Sequence, residues 1–283
     1  MKYYYLPNLK TKNKMIDFSN IWVAVLLTSF AGLSTGLGSL LAFFTKRTNT
    51  KLLSASLGFS AGVMIYISFV ELFAYAQETL FLQLGKTGMW IGVFSFFVGF
   101  GIVAIIDKIV PSYENPHEMH KVEELKDKKK AQDFNKLYRI GILMAFAISI
   151  HNFPEGLVTF LGTLTDLKLG VAIAIAIAIH NIPEGIAVAI PIFYATGSKK
   201  KAFAYSFLSG LAEPLGGILG FWVLKPFIND VLIGVIFAMI AGIMIFISFD
   251  SLLPSAEKYG NHHLSTFGLV TGMMIIATSL LLF

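Results

Sequence analysis

Two six-residue segments hold most of the chemistry this chain can do. They are His151-Asn152-Phe153-Pro154-Glu155-Gly156 and His180-Asn181-Ile182-Pro183-Glu184-Gly185. A third segment, Leu211-Ala212-Glu213-Pro214-Leu215-Gly216, adds one more carboxylate. Imidazole, amide and carboxylate together suit zinc, iron(II), manganese, cobalt and cadmium. The chain has no cysteine. Disulfides, thiolate metal sites and cysteine nucleophiles are therefore excluded, and a copper(I) pathway is disfavoured.

The spacing reads as helical. His151 and Glu155 are four apart, and Asn152 and Glu155 three apart. On a helix all three share one face, within about 100° of arc. His180, Asn181 and Glu184 repeat the pattern. Each glutamate falls between the histidine and asparagine directions, so it can offer one oxygen to an ion on either side. This predicts two adjacent sites bridged by Glu155 and Glu184. One is richer in nitrogen; the other is richer in oxygen and completed by Glu213. Pro154 and Pro183 cannot donate to the carbonyls of Ile150 and Ile179, which frees backbone acceptors at the same level.

The elements that must position these residues are membrane helices. Of 283 residues, 55% are hydrophobic and 14% charged, against about 25% charged in soluble domains. The charges cluster, and the apolar runs between them approach the roughly 20 residues needed to cross the hydrocarbon core. Helices are predicted at Asn20–Phe44, Leu52–Ala76, Gly88–Val110, Leu137–Gly162, Leu169–Tyr194, Ala202–Leu224, Val231–Leu253 and Leu264–Phe283. The chain thus reads as an all-α integral membrane protein with eight transmembrane helices and no sizeable soluble domain. The first run is too long for a signal-peptide core and lacks a small-residue cleavage site, so it reads as a retained span. The formal charge of +5 does not point to nucleic acid, because most Lys and Arg sit in short loops.

Depth sharpens the argument. His151 lies twelve residues after Arg139, His180 twelve after Lys168, and Glu213 twelve after Lys201. Each is then about 18 Å from its charged flank, near mid-bilayer. A carboxylate there costs about 3 kcal/mol, and three cost roughly 9 kcal/mol. No Lys or Arg shares this depth in the predicted helices. The carboxylates are either protonated or neutralised by a cation. Polar bonds that merely join helices contribute only about 0.6 kcal/mol each. Two matched segments and a third carboxylate at one level favour the cation.

Topology follows from the basic loops. Lys46, Arg47 and Lys51 lie in the first loop. Lys121, Lys126, Lys128, Lys129, Lys130 and Lys136 lie in the third, and Lys199, Lys200 and Lys201 in the fifth. These loops are expected in the cytoplasm and both termini outside, although Lys2, Lys10, Lys12 and Lys14 pull the tail the other way. The expected organisation is a polar tail over 1–19 and a transporter domain over 20–283 with a cytoplasmic loop over 111–136. Residues 61–69 resemble 241–249, on helices of opposite direction. That is an inverted repeat, a transporter plan whose site lies at the repeat interface. Glu71 and Asp250 read as charges near helix ends. His117, His120, His262 and His263 read as solvated loop residues, and Gly32, Gly36 and Gly38 as close-packing positions.

The two His-Asn-x-Pro-Glu-Gly segments and Leu211–Gly216 resemble the ZIP family of metal transporters, in particular its bacterial ZupT-like branch, over the membrane portion of the chain. The resemblance implies a 3+2+3 arrangement of the eight helices and import of zinc, iron(II), manganese and related ions across a cell membrane. It also allows a homodimer. It implies a zinc-preferring site of His180, Glu155 and Glu184 with His151 nearby. A second site, binding iron(II), would use Asn152, Glu155, Asn181, Glu184 and Glu213.

The expectation is a secondary transporter and not an enzyme, with no prosthetic group; its partners are divalent metal ions and the lipid bilayer. No phosphate-binding glycine loop is present. Alternating access would come from rocking of helices one, four, five and six against the rest. Two rival readings are an intramembrane metal-dependent hydrolase, which lacks a separate general base, and a proton-coupled carrier of an organic cation.

Overall fold

The computed structural model describes residues 17–42, 50–109, 133–259 and 262–282. Among them are eight helices long and apolar enough to cross a membrane, and no strand. Spans one to eight are Phe18–Leu40, Ser54–Leu84, Lys86–Ile105, Gly141–Thr165, Leu167–Thr196, Lys199–Phe227, Asp230–Glu257 and His262–Leu281. Apolar runs of this length fold as helices in lipid because only a helix satisfies every backbone donor and acceptor within the segment. The expectation of an all-helical, eight-span protein is met.

Short polar residues start the spans. The Asp166 carboxylate accepts from the Lys168 and Leu169 amides and opens span five. Ser198 caps span six through the Lys201 amide, and Asn229 caps span seven through the Leu232 amide. Before span one, Asp17 accepts from the hydroxyl and amide of Ser19. Those bonds hold its carboxyl below its usual range.

Several boundaries differ from the sequence reading. Span two was expected to end at Ala76 but continues to Leu84. Its outer turns are held by span three: Gln77 Nε2 donates to the Met89 carbonyl at 3.2 Å, and the Leu80 carbonyl lies against Gly88. Glu71 and Asp250 do not mark helix ends. Glu71 lies in a π-helical segment, Ser68–Phe73, inside span two, and Asp250 in a matching one, Ser248–Leu252, inside span seven. Both segments begin at the serine of the repeated Ile-Ser-Phe, so the internal repeat extends to the backbone defect itself. Span six is broken into Lys199–Gly210 and Ala212–Leu224. Pro214 has no N–H to give the Gly210 carbonyl. Span four's helix begins at Asp133, so residues 133–136 are helical and not loop. The rest of the loop expected over 111–136, with His117 and His120, lies outside the described residues, as do Lys46, Arg47 and most of the tail.

Packing sorts the spans into two sets of four. Spans one, four, five and six pack on one another, and so do spans two, three, seven and eight. The sets meet mainly where span two crosses span five and where span four touches span seven. Spans five and seven are the most enclosed; spans three and eight face mostly outward. Gly32 and Gly38 of span one lie against the carbonyls of Gly210 and Ile182. Span one therefore packs backbone to backbone on spans five and six, the role expected of its glycines.

Candidate metal centre

Spans four and five are joined by one residue, Asp166, between Thr165 and Leu167. His151 precedes Asp166 by fifteen residues (166 − 151), and His180 follows it by fourteen (180 − 166). Two antiparallel helices leaving so tight a turn carry these residues at one level, about 22 Å from it. The repeated motifs are thus set face to face by chain length alone.

They interlock in crossed pairs. His151 Nε2 lies 3.2 Å from Glu184 Oε1, and His180 Nε2 lies 3.4 Å from Glu155 Oε2. All seven sequence-predicted site residues are buried, His151 being the most exposed at 7%. His180 Nδ1 lies 3.1 Å from the Ala176 carbonyl. A carbonyl only accepts, so Nδ1 carries the hydrogen and Nε2 is the nitrogen offered to Glu155. A neutral imidazole so held turns a lone pair on a carboxylate. That contact is favourable only with positive charge between the two atoms, a proton or a metal ion.

The amides face away from the histidines. Asn152 Nδ2 donates to the Ser209 carbonyl at 3.1 Å. Asn181 Nδ2 donates to the Ala31 carbonyl at 3.0 Å and also to Glu213 Oε1. Glu213 stands in the first turn after the break in span six. Among the described residues, Asn152 Oδ1, Glu155 Oε1, Asn181 Oδ1 and Glu213 Oε2 are buried and accept no hydrogen bond. Orphaned oxygens of this kind are rare in folded proteins and call for a cause.

The structure therefore brings all seven residues together on spans four, five and six. The finer arrangement differs from two formed sites. Among the described residues no group of three His, Asp or Glu side chains is arranged to hold one metal ion. The imidazole–carboxylate pairs close on each other instead.

Other polar residues stand apart. His262 Nδ1 lies 2.8 Å from Glu257 Oε1, both exposed, where span eight begins. Glu71 lines an open cleft of about 260 Å³ with Tyr75, Asp166, Lys168, Leu169, Ala172 and Leu280. Asp250 is exposed.

Sequence reasoning missed the groups that support the site. A Cβ on Gly156 would strike the Glu213 carbonyl, and one on Gly185 the Thr35 carbonyl. The glycine that ends each motif lets spans six and one approach the ligating face, and its repetition was the available signal. Ser206 Oγ reaches the Thr35 carbonyl at 3.0 Å and the Gly185 carbonyl at 3.2 Å, tying spans one, five and six together. The carbonyls of Ala31 and Ser209 leave no mark in a sequence.

Comparison with known proteins places the chain among metal transporters. The family described as ZIP Zinc transporter matches residues 108–279. A protein of Streptococcus mutans named zinc transporter ZupT is 58% identical over 265 residues, covering 93% of this chain and 98% of its own. Proteins of the same name from Clostridium perfringens and Nitratidesulfovibrio vulgaris are 54% and 56% identical; they cover 94% and 95% of this chain and 98% and 100% of their own.

Proposed function

The chain belongs to the ZIP zinc transporter family, and from that premise we propose that it carries zinc through a mid-membrane site of His151, Asn152, Glu155, His180, Asn181, Glu184 and Glu213. Family membership makes it a multi-pass membrane transporter and sets aside the hydrolase reading.

One observation carries the site. Four buried oxygens on spans four, five and six accept no hydrogen bond among the described residues, beside two imidazole nitrogens turned onto carboxylates. Divalent cations bound on the histidine side and on the asparagine side would satisfy these groups. Glu155, Glu184 and Glu213 together carry −3 when ionised. One divalent ion leaves −1 and two leave +1, so the binuclear occupancy expected from the motifs balances charge better than an ion-free site. The ligand chemistry also suits iron(II), manganese, cobalt and cadmium.

All seven residues belong to the set made by spans one, four, five and six. The site then travels as a unit when that set moves against spans two, three, seven and eight. Alternating access would arise at the seam between spans two and five, with no ATP required. The remaining features of the reading are import to the cytoplasm, termini outside, a 3+2+3 inverted repeat, a tail over 1–19 ahead of a transporter domain over 20–283 with a cytoplasmic loop that ends before the helix beginning at Asp133, and a homodimer in the cell membrane.

The test is radioactive zinc uptake by cells expressing Glu155→Ala or Glu184→Ala at wild-type level. Each variant should lose uptake. Full uptake by both would refute the site.

A further inference from the structure

The two asparagines are held by their nitrogens. Asn152 gives one amide hydrogen to the Ser209 carbonyl, and Asn181 gives its two to the Ala31 carbonyl and to Glu213. Each side chain is thereby oriented with Oδ1 turned the other way, buried and accepting no hydrogen bond among the described residues. Each asparagine thus has a backbone carbonyl as partner, a group that accepts and never donates.

We propose that the Ser209 and Ala31 carbonyls select amide over carboxylate at positions 152 and 181, so that the site presents two neutral oxygens in place of two further anions. The inference rests on the proposed metal site and adds what sets its charge. An aspartate at either position has the same shape as asparagine but no hydrogen to give. Its second oxygen would press against a carbonyl oxygen in a dry interior, so it turns away and the ligating oxygen is lost with it. Asn181 is held twice over, because the same nitrogen also orients Glu213. Selection against extra charge suits a transporter. Five carboxylates around one or two divalent ions would bind too tightly for release, and a conducted ion must be able to leave.

The inference runs against simple ligand counting, in which aspartate, a stronger oxygen donor, holds the cation at least as well as asparagine. The experiment measures zinc uptake kinetics in proteoliposomes for Asn152→Asp, Asn181→Asp and the Ala and Leu variants at both positions. Folding is checked by thermal unfolding without zinc. The Asp variants should raise KM about tenfold, the factor of one lost hydrogen bond to a buried carbonyl, and should be no better than Ala, with maximal rate per folded transporter changing less. Asp variants that fail to fold while Ala and Leu variants fold also support the selection. Asp variants with wild-type or lower KM, beside Ala variants with raised KM, overturn the inference and leave the metal site standing. Wild-type KM in the Ala variants as well removes both asparagines from the site and overturns both readings.

Discussion

Gly156 of span four touches the backbone of Glu213 in span six: a Cβ on the glycine would overlap the Glu213 carbonyl oxygen. The crossing fixes the distance between two ligand-bearing helices. Gly156→Ala is expected to push them apart, cost about 1–3 kcal/mol of stability by overpacking and abolish zinc uptake. A Cβ on Gly101 would meet nothing within 4 Å. Gly101→Ala should instead be neutral for uptake and stabilise its helix by up to about 1 kcal/mol. Thermal unfolding and uptake on the two variants check the contrast.

The crossed pairs predict coupling. His180 and Glu155 meet at 3.4 Å across spans five and four, so neither acts alone. His180→Ala and Glu155→Ala should each weaken zinc binding to the purified protein. The double variant should fall short of the sum of the two by about 0.5–3 kcal/mol, as for residues in one network. His262 is paired with Glu257 on an exposed surface. His262→Ala should leave zinc affinity unchanged, cost no more than about 1 kcal/mol of stability, and combine additively with His180→Ala. A zinc titration of the wild type and the five variants decides the matter.

Zinc itself should stabilise the fold. Ligand present at one hundred times its dissociation constant adds about 2.7 kcal/mol to the folded state. The unfolding midpoint in detergent is therefore expected to rise on adding zinc and to fall back on adding a chelator. Glu155→Ala and Glu184→Ala should abolish the rise, because each removes an oxygen from the centre of the ligand set. A rise that persists in both variants would place the zinc elsewhere.

Much of the site was legible because membrane burial leaves few explanations for a polar residue. His151 and His180 announced themselves by pairing, and their common level followed from the twelve-residue spacing of each from a charged flank, Arg139 or Lys168. Three features were not. The π-helical segments at Ser68 and Ser248 look like ordinary apolar helix, since one inserted residue changes neither hydropathy nor composition. The extension of span two to Leu84 was hidden because Gln77 and Glu78 are polar, while their helix is held by tertiary contacts from Met89 and Gly88. The break at Gly210–Leu211 had a signal in Pro214, but Pro154 and Pro183 carry the same signal inside unbroken helices. Proline marks where a helix can yield, and the neighbouring backbone decides whether it does.

Movement between the two sets of spans is testable because the native chain has no cysteine. The cleft lined by Glu71 and Tyr75 of span two and by Leu169 and Ala172 of span five lies on the seam between the sets. If transport requires the sets to shift, a link across this cleft stops it. Tyr75→Cys with Ala172→Cys, bridged by a short bifunctional thiol reagent, should lose zinc uptake and regain it when the bridge is cleaved. The control lies within one set. Gln83 Nε2 donates to Asp230 Oδ2 at 2.9 Å, between spans two and seven. Gln83→Cys with Asp230→Cys should be bridged as readily and keep its uptake, because those spans move together. Each single cysteine treated with the reagent should transport normally, which separates a tether from mere bulk in the cleft. Undiminished uptake in the bridged Tyr75–Ala172 protein would mean that the seam does not slide, and access would then have to open within the four spans that hold the site.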